Sequence, residues 1–195
     1  MKAVKTKPRP GRTAGRSAGP AARSGSGGGA PTPRPLMRVG CGADAHPLRP
    51  GRRLVLGGVE IPSPRGLSGH SDADVLSHAV CDALLGALAL DDMGTRFPDS
   101  DESLRGRSSL WFLQEVAREV RGLGFEIVNV DAVILAEAPR LQPHVATMRK
   151  AVAQALAIGV DRVSIKAKRL EGLGAVGRHE GIMAQAIALL AAEDR

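Results

Sequence analysis

The chain has 195 residues and a formal net charge of +7, with 27 Lys and Arg residues against 20 Asp and Glu residues. Eight of the basic residues and none of the acidic ones lie within residues 1–36, so the remainder carries 19 basic against 20 acidic residues. This nearly neutral body, with one Trp, three Phe and no Tyr, argues against a nucleic-acid partner, and two Cys exclude a disulfide framework.

The first 36 residues form a separate segment that is rich in Gly, Pro and Arg and has no aromatic residue. Such a segment cannot bury enough apolar surface to offset its ordering entropy, which predicts a disordered basic tail. It lacks the apolar core of a secretory signal and weakly resembles a transit peptide. A translation start at Met37 is a third interpretation. We expect one folded domain over residues 37–195.

The apolar patterns of this domain predict an α+β fold with a helix layer on one sheet. A strand over residues 37–46 and a short hairpin over 53–61 come first. Ser71 and Asp74 have capping-box spacing and predict a helix over 72–90. After a polar loop, the predicted elements are a helix over 108–123, a strand over 125–136, a helix over 143–158, a strand over 162–168 and an ambiguous apolar segment over 181–192.

Three side chains form a candidate metal site. Asp44 and His46 are two apart on a strand end and share a face, and His78 lies about two turns into the next helix. One carboxylate and two imidazoles suit zinc with an open fourth position. A surface Asp with a hydrogen-bonded His is the alternative. Asp74 and Asp82 lie four residues on either side of His78, as an orienting carboxylate or as a solvated face.

Other segments have the composition of phosphate sites. His70 and Ser71 precede a helix N-terminus, where free amides attract anions, and Ser71 is also the predicted cap. The acidic segment over 91–101 is either a solvated turn or a source of ligands for a polyol diphosphate. A glycine-rich segment over 172–181 and the basic residues upstream of it can cradle phosphates.

Residues 38–192 contain, in this order, the motifs RVGCGADAH, LVLGGVEIP, GHSDADVLSHAVCDALLGAL, DDMGTRFPDSD, NVDAVILAEAPRLQPH and GLGAVGRHEGI. Together they closely resemble the 2-C-methyl-D-erythritol 2,4-cyclodiphosphate synthase family of the non-mevalonate isoprenoid route. The resemblance implies a homotrimer with active sites between subunits. It also implies a four-stranded mixed β-sheet with helices packed on one face, and therefore a strand over 181–192.

The reaction implied by the resemblance converts 4-diphosphocytidyl-2-C-methyl-D-erythritol 2-phosphate to 2-C-methyl-D-erythritol 2,4-cyclodiphosphate with release of CMP. The family's zinc ligands match Asp44, His46 and His78, and a second Mg or Mn ion is expected on the substrate diphosphate. Catalytic roles fall on His70 and Arg169. Substrate-binding roles fall on Asp44, His46, His70, Ser71, Asp92, Met93, Gly94, Phe97, Pro98, Asp99, Ser100, Asp101, Ala136, Glu137, Ala138, Pro139, Arg140, Leu141, Gln142, Lys168, Glu171 and Arg178.

The sequence departs from the family pattern at three positions. Arg169 stands where a threonine that contacts the nucleotide phosphate is usual, Ala175 replaces an aromatic residue, and Ala43 replaces Phe. Arg169 leaves a catalytically weakened family member as an alternative hypothesis. The metal ligands alone also allow a zinc-dependent phosphodiesterase, and the basic tail allows a non-enzymatic RNA-binding protein. We expect a small cytidyl diphosphate substrate, no membrane and no nucleic-acid partner. We also expect a cytoplasmic protein, or a plastid one if the tail is a transit peptide.

Overall fold

The computed structural model describes residues 37–193, so the predicted tail over residues 1–36 lies outside the described part. The strands are β1 (Met37–Pro50), β2 (Leu54–Leu56), β3 (Val59–Ile61), β4 (Arg65–Leu67), β5 (Phe125–Leu135), β6 (Val163–Lys168) and β7 (Gly181–Ala192). The α-helices are α1 (Val75–Ala87), α2 (Met93–Arg96), α3 (Ser109–Gly122), α4 (Val145–Leu156) and α5 (Gly174–Gly177). Short 3-10 turns cover Glu102–Leu104, Gln142–His144 and Val160–Arg162.

The main sheet has five strands in the order β4-β1-β7-β5-β6, and only the β5–β6 pair of this sheet is parallel. The α+β prediction and the mixed sheet are confirmed, but the prediction of four strands is wrong. The additional strand, β4, has three residues and pairs at the sheet edge with the end of β1. It follows Pro62 and Pro64 and is too short to show an alternating pattern. The predicted hairpin is confirmed as β2 and β3.

Helices cover one face of the sheet. Along β7, every second residue from Ile182 to Leu190 is buried. Among the residues between them, Ile187 has 46% of its surface exposed. The segment is a strand, as the family resemblance implies, although alanine favours helices. Its inward alanines, including Ala184 and Ala186, let α1 pack on β1 and β7. Within residues 37–193, no helix is long and apolar enough to cross a membrane.

The approach of α1 to β1 depends on two glycines. A Cβ atom on Gly40 would lie 2.0 Å from the carbonyl oxygen of Ala83, and one on Gly42 would lie 2.2 Å from that of Ala79. Real Cβ contacts do not reach these distances, so only glycine allows the helix backbone to lie directly on the strand. This contact determines which side chains of the two elements meet.

The start of α1 differs from the prediction. The helix begins at Val75 with Asp74 as its N-cap, so the predicted Ser71 cap and the start near Asp72 are wrong. The Asp74 carboxylate is fully buried and accepts hydrogen bonds from five donors, the backbone amides of Gly57, Gly58, Leu76 and Ser77 and the Ser77 hydroxyl. A carboxylate satisfies more buried amides than a serine hydroxyl can, and Asp74 therefore replaces Ser71 as the cap.

We predict that Gly42→Ala destabilises the fold by about 3 kcal/mol, because the added methyl group overlaps the α1 backbone and the two elements must separate. Thermal or denaturant unfolding measures the effect. Gly86→Ala on α1 is the matched control. Its Cβ would lie 3.7 Å from its nearest neighbour, and alanine there should stabilise the helix by up to about 1 kcal/mol. Equal stability of the Gly42→Ala and wild-type proteins would contradict the close-contact argument.

Candidate active site

Asp44, His46 and His78 lie together where β1 passes the first turns of α1. Each offers one ligand atom, and these atoms lie within 4.8 Å of one another. Asp44 Oδ2 is 2.9 Å from Nδ1 of His78 and 3.4 Å from Nε2 of His46. His46 Nδ1 contacts the carbonyl oxygen of Ala45 at 3.0 Å, so Nε2 is the nitrogen of His46 that faces the cluster. One carboxylate oxygen and two imidazole nitrogens thus converge, the donor set of a divalent metal site.

The electrostatics of this cluster favour a cation. Burial works against ionisation of Asp44, but the hydrogen bond from His78 and the charges of both histidines outweigh it, so the pKa of Asp44 is lowered. Burial likewise opposes the charge on His78, yet its contact with Asp44 leaves its pKa raised. The short contact between them needs a proton on Nδ1. A divalent cation can take the place of that proton, because metal binding by histidine displaces protons.

The outer nitrogen of His78 contacts two serines. Nε2 lies 2.8 Å from Oγ of Ser109 and 3.2 Å from Oγ of Ser71. The prediction that Asp74 or Asp82 orients His78 is wrong. Asp74 caps the helix, and Asp82 accepts a hydrogen bond from the backbone amide of Met93 at 2.8 Å. Asp82 therefore anchors the start of α2 instead.

A cavity of about 230 Å³ opens beside the metal cluster. The predicted residues that line it are Asp44, His46, His70, Ser71, His78, Met93, Gly94, Phe97 and Asp99. Within residues 37–193, Nε2 of His70 is one of the few buried side-chain atoms without a hydrogen-bond partner. An unpaired buried nitrogen beside a cavity is available to a ligand.

Four predicted residues of the acidic segment do not line this cavity: Asp92, Pro98, Ser100 and Asp101. Asp92 caps α2 by accepting from the amide of Thr95 at 2.8 Å, and Asp101 accepts from the amide of Ser103 at 3.0 Å. These two carboxylates shape the segment that carries Phe97 and Asp99. Helix caps therefore explain part of its acidic composition.

A second cavity, of about 330 Å³, lies at the ends of β5 and β6. The predicted residues that line it are Ala136, Glu137, Pro139, Arg140, Leu141, Gln142, Lys168 and Arg169. Ala138 does not line it and precedes a cis peptide bond to Pro139. No residue lines both this cavity and the metal cavity.

Arg169 lies at the edge of the second cavity and pairs with Glu137. Its Nε donates to Oε1 of Glu137 at 3.2 Å, and Oε2 accepts from the amide of Leu170 at 3.1 Å. The Arg169 side chain is 62% exposed, whereas that of Glu137 is only 9% exposed. The Arg169 guanidinium is therefore accessible from the cavity, while its Nε is held by Glu137.

Two further predicted residues line neither cavity. Glu171 lies 3.7 Å from Arg169 in an exposed ion pair, and Arg178 donates to Glu180 at 2.7 Å. Neither is brought to the metal cluster within one chain.

Sequence reasoning missed several residues of the site. Gly69, Leu104 and Phe112 line the metal cavity. Ser109, which is fully buried in the first turn of α3, contacts His78. A serine at a helix start is usually a cap, and nothing local distinguishes Ser109 from Ser108, which is the N-cap.

Comparisons with known proteins agree with this geometry. The sequence model of the YgbB family matches residues 37–191. A protein of Syntrophomonas wolfei named 2-C-methyl-D-erythritol 2,4-cyclodiphosphate synthase is 55% identical over 154 residues, which are 79% of this chain and 98% of the relative.

Solved structures with similar folds have related names. A structure of 2C-methyl-D-erythritol-2,4-cyclodiphosphate synthase in a CDP-bound form has a TM-score of 0.73 and 38% identity, over 78% of this chain and 99% of the other. The bifunctional IspDF of Campylobacter jejuni has a TM-score of 0.78 and 36% identity, over 81% of this chain. This chain spans 43% of that bifunctional protein.

We predict that the protein binds about one divalent metal ion per chain and that His78→Ala abolishes this binding, because a single carboxylate and one imidazole remain. Elemental analysis after incubation with zinc and desalting measures the content. His144→Ala, in the 3-10 turn outside both cavities, is the control and should retain the metal. Full occupancy in the His78→Ala protein would contradict the site.

Proposed function

The chain belongs to the YgbB family of 2-C-methyl-D-erythritol 2,4-cyclodiphosphate synthases, and we propose that its two cavities together carry out the reaction of that enzyme. The protein converts 4-diphosphocytidyl-2-C-methyl-D-erythritol 2-phosphate to 2-C-methyl-D-erythritol 2,4-cyclodiphosphate and CMP, in isoprenoid precursor biosynthesis. It is a phosphorus–oxygen lyase. The 55% identity over nearly the whole length of a relative with this name carries the conclusion.

The chemistry requires positioning and charge neutralisation. The diphosphate has one phosphate attached to the erythritol and one attached to cytidine. An oxygen of the 2-phosphate attacks the phosphorus of the phosphate that is attached to the erythritol. A new oxygen–phosphorus bond forms, the bond to CMP breaks, and CMP leaves with the electron pair. The nucleophile is already ionised near neutral pH, so no general base is needed. The protein must instead bring two anionic phosphate groups of the substrate together. The unpaired His70 nitrogen and the Ser71 hydroxyl support this as hydrogen-bond donors to phosphate.

For the metal, we propose zinc on Asp44, His46 and His78, and a second divalent ion, Mg or Mn, on the substrate diphosphate. The mixed carboxylate and imidazole donors suit zinc with one position left for a ligand. When bound, such a cation neutralises phosphate oxygens as a Lewis acid. The acidic residues Asp82 and Asp99 also line this cavity and add to its preference for cations.

We assign the second cavity to the cytidine part of the substrate. All residues from Ala136 to Gln142 except Ala138 line it and lie beside the basic Lys168 and Arg169, which suits a nucleotide base followed by phosphates. The similar structure in a CDP-bound form supports a nucleotide pocket in this fold. Glu171 and Arg178 are assigned to the same substrate across a subunit boundary, because neither lines the metal cavity or the second cavity in the part of the chain that the structure describes.

We propose a homotrimer whose active sites lie between subunits. No residue lines both cavities within one chain, and this separation supports a site that is completed by a second copy. The sheet face opposite the helices supplies an apolar surface. On it, Met37, Val39 and Ile187 are 61%, 68% and 46% exposed. Large apolar residues clustered on one face are typical of a surface that is buried on association.

The reaction is tested by incubating the purified protein with the cytidyl substrate, Zn²⁺ and Mg²⁺, and measuring CMP and the cyclic diphosphate. We expect both products in equal amounts. CMP without cyclic product would instead indicate a phosphodiesterase, and no CMP would contradict the function.

Co-assembly tests the shared site in the same assay. His78→Ala damages the metal cavity, and Lys168→Glu places a repelling charge at the nucleotide cavity. Each variant alone should be inactive. In randomly mixed trimers of the two, one site in about four combines two intact halves, because cyclic symmetry pairs different surfaces of neighbours. About a quarter of wild-type activity is therefore expected, and no recovery would place the whole site in one chain.

Arg169 is proposed as a cation for the nucleotide phosphates. We predict that Arg169→Thr lowers kcat/KM about tenfold, since a hydrogen bond to a charged group contributes about 1.5 kcal/mol. Arg118→Thr is the control, because Arg118 is also an exposed arginine paired with a glutamate, but lies on α3. A faster Arg169→Thr enzyme would show that the guanidinium crowds the pocket and weakens catalysis. An unchanged rate would show that it contacts solvent only.

A further inference from the structure

A chain of hydrogen bonds lies behind His78, on the side away from Asp44. Nε2 of His78 is 2.8 Å from Oγ of Ser109, and the Ser109 hydroxyl also bonds Oδ1 of Asp72. The backbone amide of Ser109 donates to Oδ2 of the same carboxylate at 3.0 Å. Ser109 is fully buried, so solvent does not compete with the hydroxyl for these contacts.

The Asp72 carboxylate determines which group donates in each of these hydrogen bonds. An ionised Asp72 accepts hydrogen bonds and has none to donate, so the Ser109 hydroxyl donates its proton to Asp72. The oxygen of Ser109 then accepts from His78, and Nε2 must carry a hydrogen atom. A neutral imidazole has one such hydrogen, so a metal ion that takes the place of the proton on Nδ1 would meet a lone pair on that nitrogen, which faces Asp44.

Ser71 is a second, weaker acceptor for the same nitrogen. Its Oγ lies 3.2 Å from Nε2 of His78 and also accepts from the amide of Ala73 at 3.1 Å. Because Ser109 lies closer to Nε2, Ser71 is not needed to hold the ring. The hydroxyl hydrogen of Ser71 then remains available to a ligand in the metal cavity.

The same contacts hold the loop that carries the phosphate donors. The amide of Asp72 donates to the carbonyl oxygen of Arg107 at 3.2 Å, and the amide of Gly106 donates to that of His70 at 2.9 Å. Residues 70–72 and 106–109 are thus joined side by side. The carboxylate that sets the polarity of the His78 contact belongs to the loop of His70 and Ser71.

We propose that Ser109 and Asp72 are positioning residues of the metal site. They fix the tautomer and the ring orientation of His78, and they keep Ser71 free for a substrate phosphate. Outer hydrogen-bond partners of ligand histidines act in this way and raise metal affinity. The inference rests on the proposed metal role of Asp44, His46 and His78.

The first test measures zinc affinity by competition with a chelating dye, without substrate. Ser109→Ala should raise the Kd for zinc about 10- to 100-fold. Ser108→Ala is the matched control, since Ser108 is the neighbouring, exposed serine and makes no side-chain cap bond. Ser71→Ala should keep the zinc Kd and raise KM for the substrate. Equal zinc Kd values for the Ser109→Ala and wild-type proteins would overturn the inference.

Asp72→Asn tests the polarity with almost no change of size. Its amide nitrogen can donate to Ser109, which would let Ser109 donate to Nε2 and move the imidazole hydrogen to the metal side. We expect a weaker zinc Kd and an altered visible spectrum of the Co²⁺-substituted protein. This variant decides the question if Ser109→Ala fails to fold, as checked by circular dichroism. An Asp72→Asn protein with wild-type zinc Kd and Co²⁺ spectrum overturns the proposal.

The metal site and the positioning role can fail separately. A wild-type protein that binds neither Zn²⁺ nor Co²⁺ would overturn the metal site in the proposed function, and the positioning role with it. A wild-type protein that binds both, beside Ser109→Ala and Asp72→Asn proteins that bind them equally well, would overturn only the positioning role.

Discussion

The contact between α1 and β1 determines most of what the site can do. Gly40 and Gly42 remove the side chains that would separate the two backbones, and the helix lies against the strand at the carbonyls of Ala79 and Ala83. Two residues further along the same strand face comes Asp44, and one residue before Ala79 comes His78. The 2.9 Å contact between those side chains is thus a consequence of glycine packing. Ligand spacing in this fold is set by backbone contact.

A second constraint is polar and lies at the start of α1. The buried carboxylate of Asp74 joins the Gly57–Gly58 turn to the first helical turn through five donors. Both glycines have positive φ values, which suits the two-residue turn between β2 and β3. Burial, and then the charge of Asp72, raise the pKa of Asp74, while the donated hydrogen bonds oppose that shift. The β2–β3 turn, the loop over residues 70–72 and the first turn of α1 therefore meet in one polar network.

The sequence predicted the parts of the site that obey a local rule. Alternation along β1 placed Asp44 and His46 on one face. The donor types and the family resemblance added His78 to them. It failed where the deciding contact is distant in the chain. Ser109 meets His78 across 31 positions, and no local pattern carries that information. The sequence spacing favours Ser71 as the helix cap. The cap is Asp74, because its buried carboxylate accepts hydrogen bonds from the first amides of the helix. The edge strand β4 was missed because three residues show no period.

The residues of strand β1 alternate between its two faces, and each face has a different role. Between Arg38 and Leu48 its even-numbered residues face the helices and include Asp44 and His46, whereas the odd-numbered ones, such as Val39 and Cys41, lie on the outer face. A deletion or insertion of one residue before Asp44 would exchange these two sets. Asp44 and His46 would then point outward, and residues that now lie on the outer face, such as Val39, would meet the helix. Length changes in this strand therefore damage chemistry and surface at once, while substitutions can alter either face separately. Substitutions can change the two faces independently only while the pairing register of the strand stays the same.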